Sequence, residues 1–83
     1  MYNVLICDDQ PDIVNALKIY LTPEGYNLYE AYTGKEAVDI VQNHDIHLIL
    51  LDIMLPDIDG FEVCRRIRAT NKQMGIIMLT ART

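Results

Sequence analysis

The chain has 83 residues, of which 51% are hydrophobic and 23% charged, and its formal net charge is −5. This composition is typical of one small globular domain and not of a disordered chain. No apolar run approaches the ~20 residues that a membrane-spanning helix needs, and the N-terminus lacks the basic residues of a signal peptide. The acidic balance argues against nucleic-acid binding by this stretch alone, because phosphate backbones are bound by basic surfaces.

The first part of the chain predicts a strand followed by a helix. Residues 3–7 are mostly apolar and end on two acids, Asp8 and Asp9, and Pro11 then suits the first turn of a helix. Apolar residues spaced i, i+3, i+4 and i+7 predict the buried face of this helix: Ile13, Ala16, Leu17 and Tyr20. A Pro and a Gly within residues 22–25 end it.

A second strand and a second helix follow. Residues 26–31 are rich in tyrosine, which favours a strand at a sheet edge or exposed on one side. Thr33 and Glu36 have the spacing of a capping box and predict a helix that ends near Gln42. The side chains expected on its buried side are Ala37, Val38 and Val41.

The most informative segment is residues 47–52, an apolar run that ends on Asp52. It contains no Gly or Pro, so it predicts a strand buried on both faces, as in a parallel sheet. After a turn-rich connection, Asp59 and Glu62 predict the start of a helix that runs to about residue 70, and we expect Asp59 to cap that helix. The apolar stripe of this helix is Val63, Cys64 and Ile67, and its arginines (Arg65, Arg66 and Arg68) are expected mostly on the solvated face.

A fourth apolar run, residues 75–80, ends on Thr80. The order β-α-β-α-β-α-β predicts an α/β fold in which parallel strands are joined by right-handed crossovers and helices cover the sheet. No repeat or internal linker interrupts this pattern, so we expect a single domain.

The polar residues that end the strands predict a metal site. The C-terminal ends of parallel strands lie at one edge of the sheet, where open α/β sheets bind their ligands. If the first, third and fourth strands are neighbours, three carboxylates and a hydroxyl meet there: Asp8, Asp9, Asp52 and Thr80. A divalent cation would hold these carboxylates ionised, and an all-oxygen site suits Mg²⁺ better than zinc. Beside the metal, Asp52 could attack a phosphoryl donor and form an acyl phosphate, with Thr80 hydrogen-bonded to the phosphoryl oxygens.

The two cysteines, Cys7 and Cys64, are far apart in the sequence, and neither has a second thiol nearby. We expect both to be reduced thiols that fill the core as small apolar side chains. This cysteine usage favours a cytoplasmic location.

Three segments resemble the receiver domain of two-component response regulators. They are residues 4–9 (VLICDD), 50–60 (LLDIMLPDIDG) and 77–82 (IMLTAR). The resemblance spans the whole chain and implies a flavodoxin-like fold of strand order 2-1-3-4-5. It also implies that the phosphohistidine of a partner histidine kinase donates its phosphoryl group to an aspartate of this chain, Asp52.

The same resemblance assigns further roles at the site. It implies that Asp9 binds Mg²⁺ directly and Asp8 mainly through water, and that Asp52 and the backbone carbonyl of Met54 complete the protein ligands. Thr80 would be the switch hydroxyl, and Ala81 the small residue that leaves room for the phosphoryl group. The sequence around Asp52 and Thr80 is most similar to that of regulators with a winged-helix DNA-binding output domain, which implies transcription regulation by the full-length protein.

Two departures from the family pattern matter. Gln10 stands where the family often has a third acid, and the chain stops at Thr83, before the fourth helix and the fifth strand with its phosphoryl-binding lysine. The chain's own lysines do not match that lysine; they are Lys18, Lys35 and Lys72. We therefore interpret residues 1–83 as the N-terminal part of a receiver domain. We expect the fragment to self-associate through its open fourth strand, and to be phosphorylated weakly or briefly.

Two other functions remain as alternatives. A haloacid-dehalogenase-type phosphohydrolase also uses a strand-end Asp with Mg²⁺, but it needs a second acid two residues later, where this chain has Met54. We therefore do not expect an enzyme. The other alternative is a receiver-like interaction module that is not phosphorylated, and the retained acids argue against it. Dinucleotide binding is weaker still, because no Gly-rich loop follows the first strand.

Overall fold

The computed structural model describes residues 2–79. In this range four strands and three helices alternate along the chain, and one turn of 3₁₀ helix, Thr22–Glu24, follows the first helix. The strands are β1 (Asn3–Cys7), β2 (Asn27–Ala31), β3 (Leu48–Asp52) and β4 (Gly75–Leu79), and the helices are α1 (Pro11–Leu21), α2 (Gly34–Asn43) and α3 (Gly60–Thr70). None of these helices is both long and apolar enough to cross a membrane.

The four strands form one parallel sheet of order β2-β1-β3-β4. This confirms the predicted order 2-1-3-4 and places β2 at an edge, as its tyrosine-rich sequence indicated. The strands begin or end within a residue of the predicted limits, apart from the end of the fourth, because Thr80 lies outside the described residues.

The main core lies between the sheet and the helices α2 and α3. Alternate residues of a strand point to opposite faces, so Leu5 and Leu51 face these helices while Val4 and Ile6 are buried on the α1 side. The helices contribute the predicted residues to this core: Ala37, Val38, Val41, Val63, Cys64 and Ile67. β1 is therefore buried on both faces. In β3 the prediction holds on the α2–α3 side, whereas Leu48 and Leu50, the register partners of Val4 and Ile6, are only partly buried.

The predicted buried face of α1 is wrong. Val14 is the fully buried residue of this helix, with Leu17 partly buried, whereas Ile13 and Tyr20 are 40% and 77% exposed. Ala16 is exposed as well. The helix carries apolar residues around most of its circumference, so more than one set fits a period of 3.6, and the position of the sheet selects the set that contains Val14.

Both predicted capping residues are confirmed. The Thr33 hydroxyl accepts the Glu36 N–H at 3.1 Å, and Asp59 Oδ1 accepts the Glu62 N–H at 2.9 Å. Glu36 reaches back to the N–H of Tyr32 at 2.7 Å, one residue before the cap. In α2 and α3, a side chain thus pairs at least one of the free N–H groups at the start of the helix.

The arginines of α3 divide into two groups. Arg65 and Arg66 lie on the exposed face and pair with Glu62 within the same helix, as predicted for a solvated face. Arg68 is partly buried and donates to the Met74 carbonyl at 2.7 Å. It therefore ties the end of α3 to the chain that leads into β4.

Glu62 gives a test of the charge interactions on α3. Hydrogen bonds from Arg65 and then Arg66 lower the pKa of its carboxyl from 4.5 to about 2. A carboxyl with a lowered pKa in the folded state stabilises the fold above its unfolded pKa, and this contribution is lost as the pH falls through the folded value. In urea titrations, wild type should be more stable than Glu62→Gln at neutral pH, and the two should converge as the pH falls from about 4.5 to about 2.

A matched control is Glu24→Gln, which neutralises an exposed acid of the 3₁₀ turn. Its stability relative to wild type should change less over the same pH range. A difference between wild type and Glu62→Gln that stays constant down to pH 2 would contradict the assigned role of these ion pairs.

Candidate metal centre

Strand pairing brings the predicted acids to one edge of the sheet. Cys7 of β1 is paired with Leu51 of β3, so the next residue of each strand, Asp8 and Asp52, lies at the same edge. Asp52 is in turn the register partner of Leu79 at the end of β4. The first, third and fourth strands are therefore neighbours in the sheet, as the predicted site requires.

Three carboxylates converge at this edge. One oxygen from each of Asp8, Asp9 and Asp52 lies within 4.8 Å of the other two. Asp8 and Asp52 are only 6% and 3% exposed, while Asp9 is open to solvent. The structure thus brings together the three acids predicted from the sequence, and the predicted hydroxyl of Thr80 lies outside the described residues.

Backbone N–H groups orient the two buried carboxylates. Asp8 Oδ1 accepts the Gln10 N–H at 2.9 Å, and Asp52 Oδ1 accepts the Met54 N–H at 3.2 Å. Each acid therefore has one oxygen held by the turn that follows its own strand. The predicted role of the Met54 carbonyl as a ligand stays a prediction.

The site is electrostatically unfavourable without a cation. Burial raises the pKa of the Asp8 carboxyl, the Gln10 N–H partly offsets this, and the charges of Asp52 and Asp9 raise it further. The ion pairs among residues 2–79 leave these three acids unpaired with any Lys, Arg or His. Buried carboxylates without a positive partner are costly, so the cluster would be stabilised by a bound cation.

The donor atoms fit Mg²⁺. All three side chains offer oxygen, which Mg²⁺ prefers, and the exposure of Asp9 leaves room for the water ligands that Mg²⁺ keeps. The Cys7 thiol is not among the side chains whose donor atoms converge here, and burial and then the charge of Asp8 raise its pKa to about 12. Cys7 is fully buried and Cys64 half-buried, and neither is in a disulfide, as predicted.

The first residue of α3 must be a glycine because it lies against the peptide of Asp52. A Cβ on Gly60 would come within 2.6 Å of the Asp52 carbonyl oxygen and 2.8 Å of the Ile53 Cα. The Gly60 N–H donates to the Ile53 carbonyl at 2.8 Å, which closes the loop between β3 and α3 into a compact turn. The helix therefore starts directly beside the acidic cluster.

One residue near the site has a role that the sequence did not indicate. Asp57, in the loop between β3 and α3, accepts the N–H groups of Gly34 and Lys35 at 2.8 and 2.9 Å. An acid in such a loop more often caps the helix that follows, as Asp59 does. Because its partners are more than twenty residues earlier in the sequence, no local pattern could have identified them.

Comparison with known proteins agrees with this geometry. The family model described as response regulator receiver domain matches residues 4–83. The response regulator TrrA from Thermotoga maritima, solved in complex with Mg²⁺-BeF, is 40% identical with a TM-score of 0.94, and the match covers 100% of this chain and 72% of that one.

Two further solved structures are similar. A CheY-like receiver domain protein from Methanospirillum hungatei is 32% identical with a TM-score of 0.95, over 100% of this chain and 66% of that one. A complex of the histidine kinase ThkA with TrrA contains a chain that is 40% identical with a TM-score of 0.92, over 100% of this chain and 72% of that one. On its sequence, its strand order and its acidic site, the chain belongs to the response regulator receiver domain family.

Proposed function

We propose that this receiver domain accepts a phosphoryl group on Asp52 from the phosphohistidine of a sensor histidine kinase, in a Mg²⁺-dependent reaction. The observation that carries the proposal is the acidic cluster, in which two nearly buried carboxylates and one exposed carboxylate converge without a positive partner among the described residues. Such an arrangement is unfavourable for stability alone and suits a site that binds a cation and an anionic donor together.

The comparisons support both the cofactor and the partner. TrrA is complexed with Mg²⁺-BeF in one structure and with the kinase ThkA in another. Together with the cluster of Asp8, Asp9 and Asp52, the first complex bears out the predicted Mg²⁺ cofactor. The second supports a histidine kinase as the partner.

The described residues supply the nucleophile for the acceptor half of the transfer. The Met54 N–H holds one oxygen of Asp52, and the second oxygen attacks phosphorus. As this O–P bond forms, the bond between phosphorus and the kinase imidazole nitrogen breaks; the imidazole keeps the electron pair and takes up a proton. An aspartyl phosphate remains on the chain. Bound Mg²⁺ would be held by Asp8, Asp9, Asp52 and the Met54 carbonyl, and it would neutralise charge on the phosphoryl group.

The proposal extends to the rest of the signalling pathway. Thr80 would act as the switch hydroxyl that responds to the phosphoryl group. In the full-length protein the response would pass to a DNA-binding output domain and so to transcription. The two free thiols, Cys7 and Cys64, are compatible with the cytoplasm, where such thiols stay reduced.

We propose an acceptor that is labelled stoichiometrically and not an enzyme that turns over phosphate esters. A phosphohydrolase of the haloacid-dehalogenase type would need an acid at the position of Met54, whose side chain is apolar and 65% exposed. Without an acid there, the leaving group has no general acid at that position.

Replacing Asp52 should abolish phosphorylation. Wild type incubated with phosphoramidate or acetyl phosphate and Mg²⁺ should gain the mass of one phosphoryl group in part of the population, removable by hydroxylamine. Asp52→Asn should show no such product, since the amide cannot form an acyl phosphate. Asp59→Asn, which alters a capping acid outside the cluster, should be labelled like wild type. Equal labelling of Asp52→Asn and wild type would contradict the assignment.

Replacing Asp8 should have opposite effects with and without Mg²⁺. Without metal, Asp8→Asn should be more stable than wild type by on the order of 1 kcal/mol, because it removes a nearly buried charge beside two others. Saturating Mg²⁺ at a hundred times its Kd should stabilise wild type by about 2.7 kcal/mol and the variant by less. Urea unfolding with Mg²⁺ or EDTA measures both effects, and equal stabilisation by Mg²⁺ would count against Asp8 as part of the site.

We also propose that the 83-residue chain self-associates through its β4 edge. Ile77 of this edge strand is 49% exposed, and its neighbours Ile76 and Met78 pack on the α2–α3 side, so Ile77 lies on the α1 side. An open edge with an exposed apolar side chain favours pairing with another chain.

Light scattering at high protein concentration should therefore give a mass above the 9.5 kDa of one chain. Ile77→Lys should shift the mass towards 9.5 kDa with little loss of stability, because the side chain is half exposed. A wild-type mass of one chain at all concentrations would refute self-association.

A further inference from the structure

Asp57 links the loop that follows Asp52 to a different helix. Its two carboxylate oxygens accept one N–H group each from the first two residues of α2, Gly34 and Lys35, at 2.8 and 2.9 Å. The same helix already has its own cap, the Thr33 hydroxyl, which accepts the Glu36 N–H. The contact from Asp57 is therefore additional to the local cap. It comes from the loop that follows β3 in the sequence, whereas α2 precedes β3.

The charge of Asp57 is suited to this contact. Burial acts to raise the pKa of its carboxyl, but hydrogen bonds from backbone N–H groups, those of Gly34 and Lys35 first and those of Ile58 and Asp57 after them, outweigh that effect and lower it to about 2. The positive end of the helix dipole favours the ionised form as well. Asp57 is thus an exposed, ionised side chain whose two oxygens are held by directed hydrogen bonds.

Tight packing reinforces the same junction. A Cβ on Gly34 would lie 2.5 Å from the Ile58 Cγ1, 2.8 Å from a Val63 methyl and 3.0 Å from the Ile58 carbonyl oxygen. The start of α2 is therefore pressed against the loop residue that follows Asp57. Hydrogen bonds and close packing together join the middle of the loop to α2.

The two ends of the loop are fixed at the acidic site. At its start the Met54 N–H donates to the Asp52 carboxylate, and at its end the Gly60 N–H donates to the Ile53 carbonyl. Between these contacts Leu55 and Ile58 pack partly against the core, and Asp57 supplies the hydrogen bonds that join the segment to α2. Movement of that segment would displace the Met54 peptide, which contacts the acceptor carboxylate directly.

We propose that Asp57 is a positioning residue for phosphoryl acceptance: by holding the β3–α3 loop against the N-terminus of α2, it fixes the Met54 peptide relative to Asp52. The expected consequence is tighter Mg²⁺ binding at the acidic cluster, and this part of the inference rests on the proposed function. The positioning itself concerns only the hydrogen bond between Met54 and Asp52 and can be measured without metal.

The test compares Asp57→Ala with Thr33→Ala. Both variants remove hydrogen bonds to the N-terminus of α2, but only the first releases the loop. Asp57→Asn, which keeps one acceptor oxygen, is the milder variant if Asp57→Ala folds poorly. Unfolding titrations measure the stability of each, so that effects at the site can be compared at matched stability.

The first measurement is amide hydrogen exchange without Mg²⁺. The Met54 amide should exchange faster in Asp57→Ala, and by a smaller factor in Asp57→Asn, while Thr33→Ala of similar stability leaves it near the wild-type rate. Unchanged protection of Met54 in Asp57→Ala would overturn the proposal. This result does not depend on whether the site binds metal or phosphoryl groups.

The second measurement is Mg²⁺ affinity by titration of backbone amide shifts. Outer partners of a metal site typically change affinity by 10–100-fold, so Asp57→Ala should bind about tenfold more weakly and Thr33→Ala like wild type. Equal affinity in all three proteins would overturn the consequence drawn for the site. Should wild type itself fail to bind Mg²⁺ through the acidic cluster, the proposed function would be wrong, and the exchange of Met54 would still decide the positioning role.

Discussion

The parallel pairing of β1 with β3 is the constraint on which the site depends. Its register puts Cys7 beside Leu51, and the next residue of each strand is an acid of the cluster. The residues before these acids are almost completely buried, so a shift in register would disrupt the packing of the sheet against α2 and α3. The hydrophobic core thus holds the carboxylates of the cluster close together despite their mutual repulsion. A cation bound between them would offset that repulsion.

The loop between β3 and α3 and the first residues of α2 and α3 pack closely around Asp52. Two glycines allow the chain to pass close to the site: Gly60 starts α3 against the Asp52 peptide, and Gly34 starts α2 against Ile58. Asp57 adds directed hydrogen bonds to the second of these contacts. The β3–α3 loop is therefore held against the N-termini of both α2 and α3.

Stability and function make opposite demands on the cluster. A protein selected for stability alone would not place Asp8 and Asp52 together at less than 10% exposure with no positive partner among the described residues. Burial and the charges of Asp52 and Asp9, which raise the pKa of the Asp8 carboxyl, are the unfavourable interactions that a bound cation would offset. The buried thiol of Cys7, whose pKa is raised to about 12, adds no further charge.

The sequence by itself determined the order of strands and helices, the two helix caps and the acids of the site, because these follow from local patterns: apolar runs, capping pairs and strand-terminal carboxylates. It did not determine which face of α1 is buried, since Ile13, Val14 and Tyr20 all lie on apolar stripes and only the sheet selects Val14. Nor did it reveal the contact of Asp57 with α2, whose partners are distant in sequence. Such choices depend on which surfaces meet after the chain has folded, and only the tertiary structure decides them.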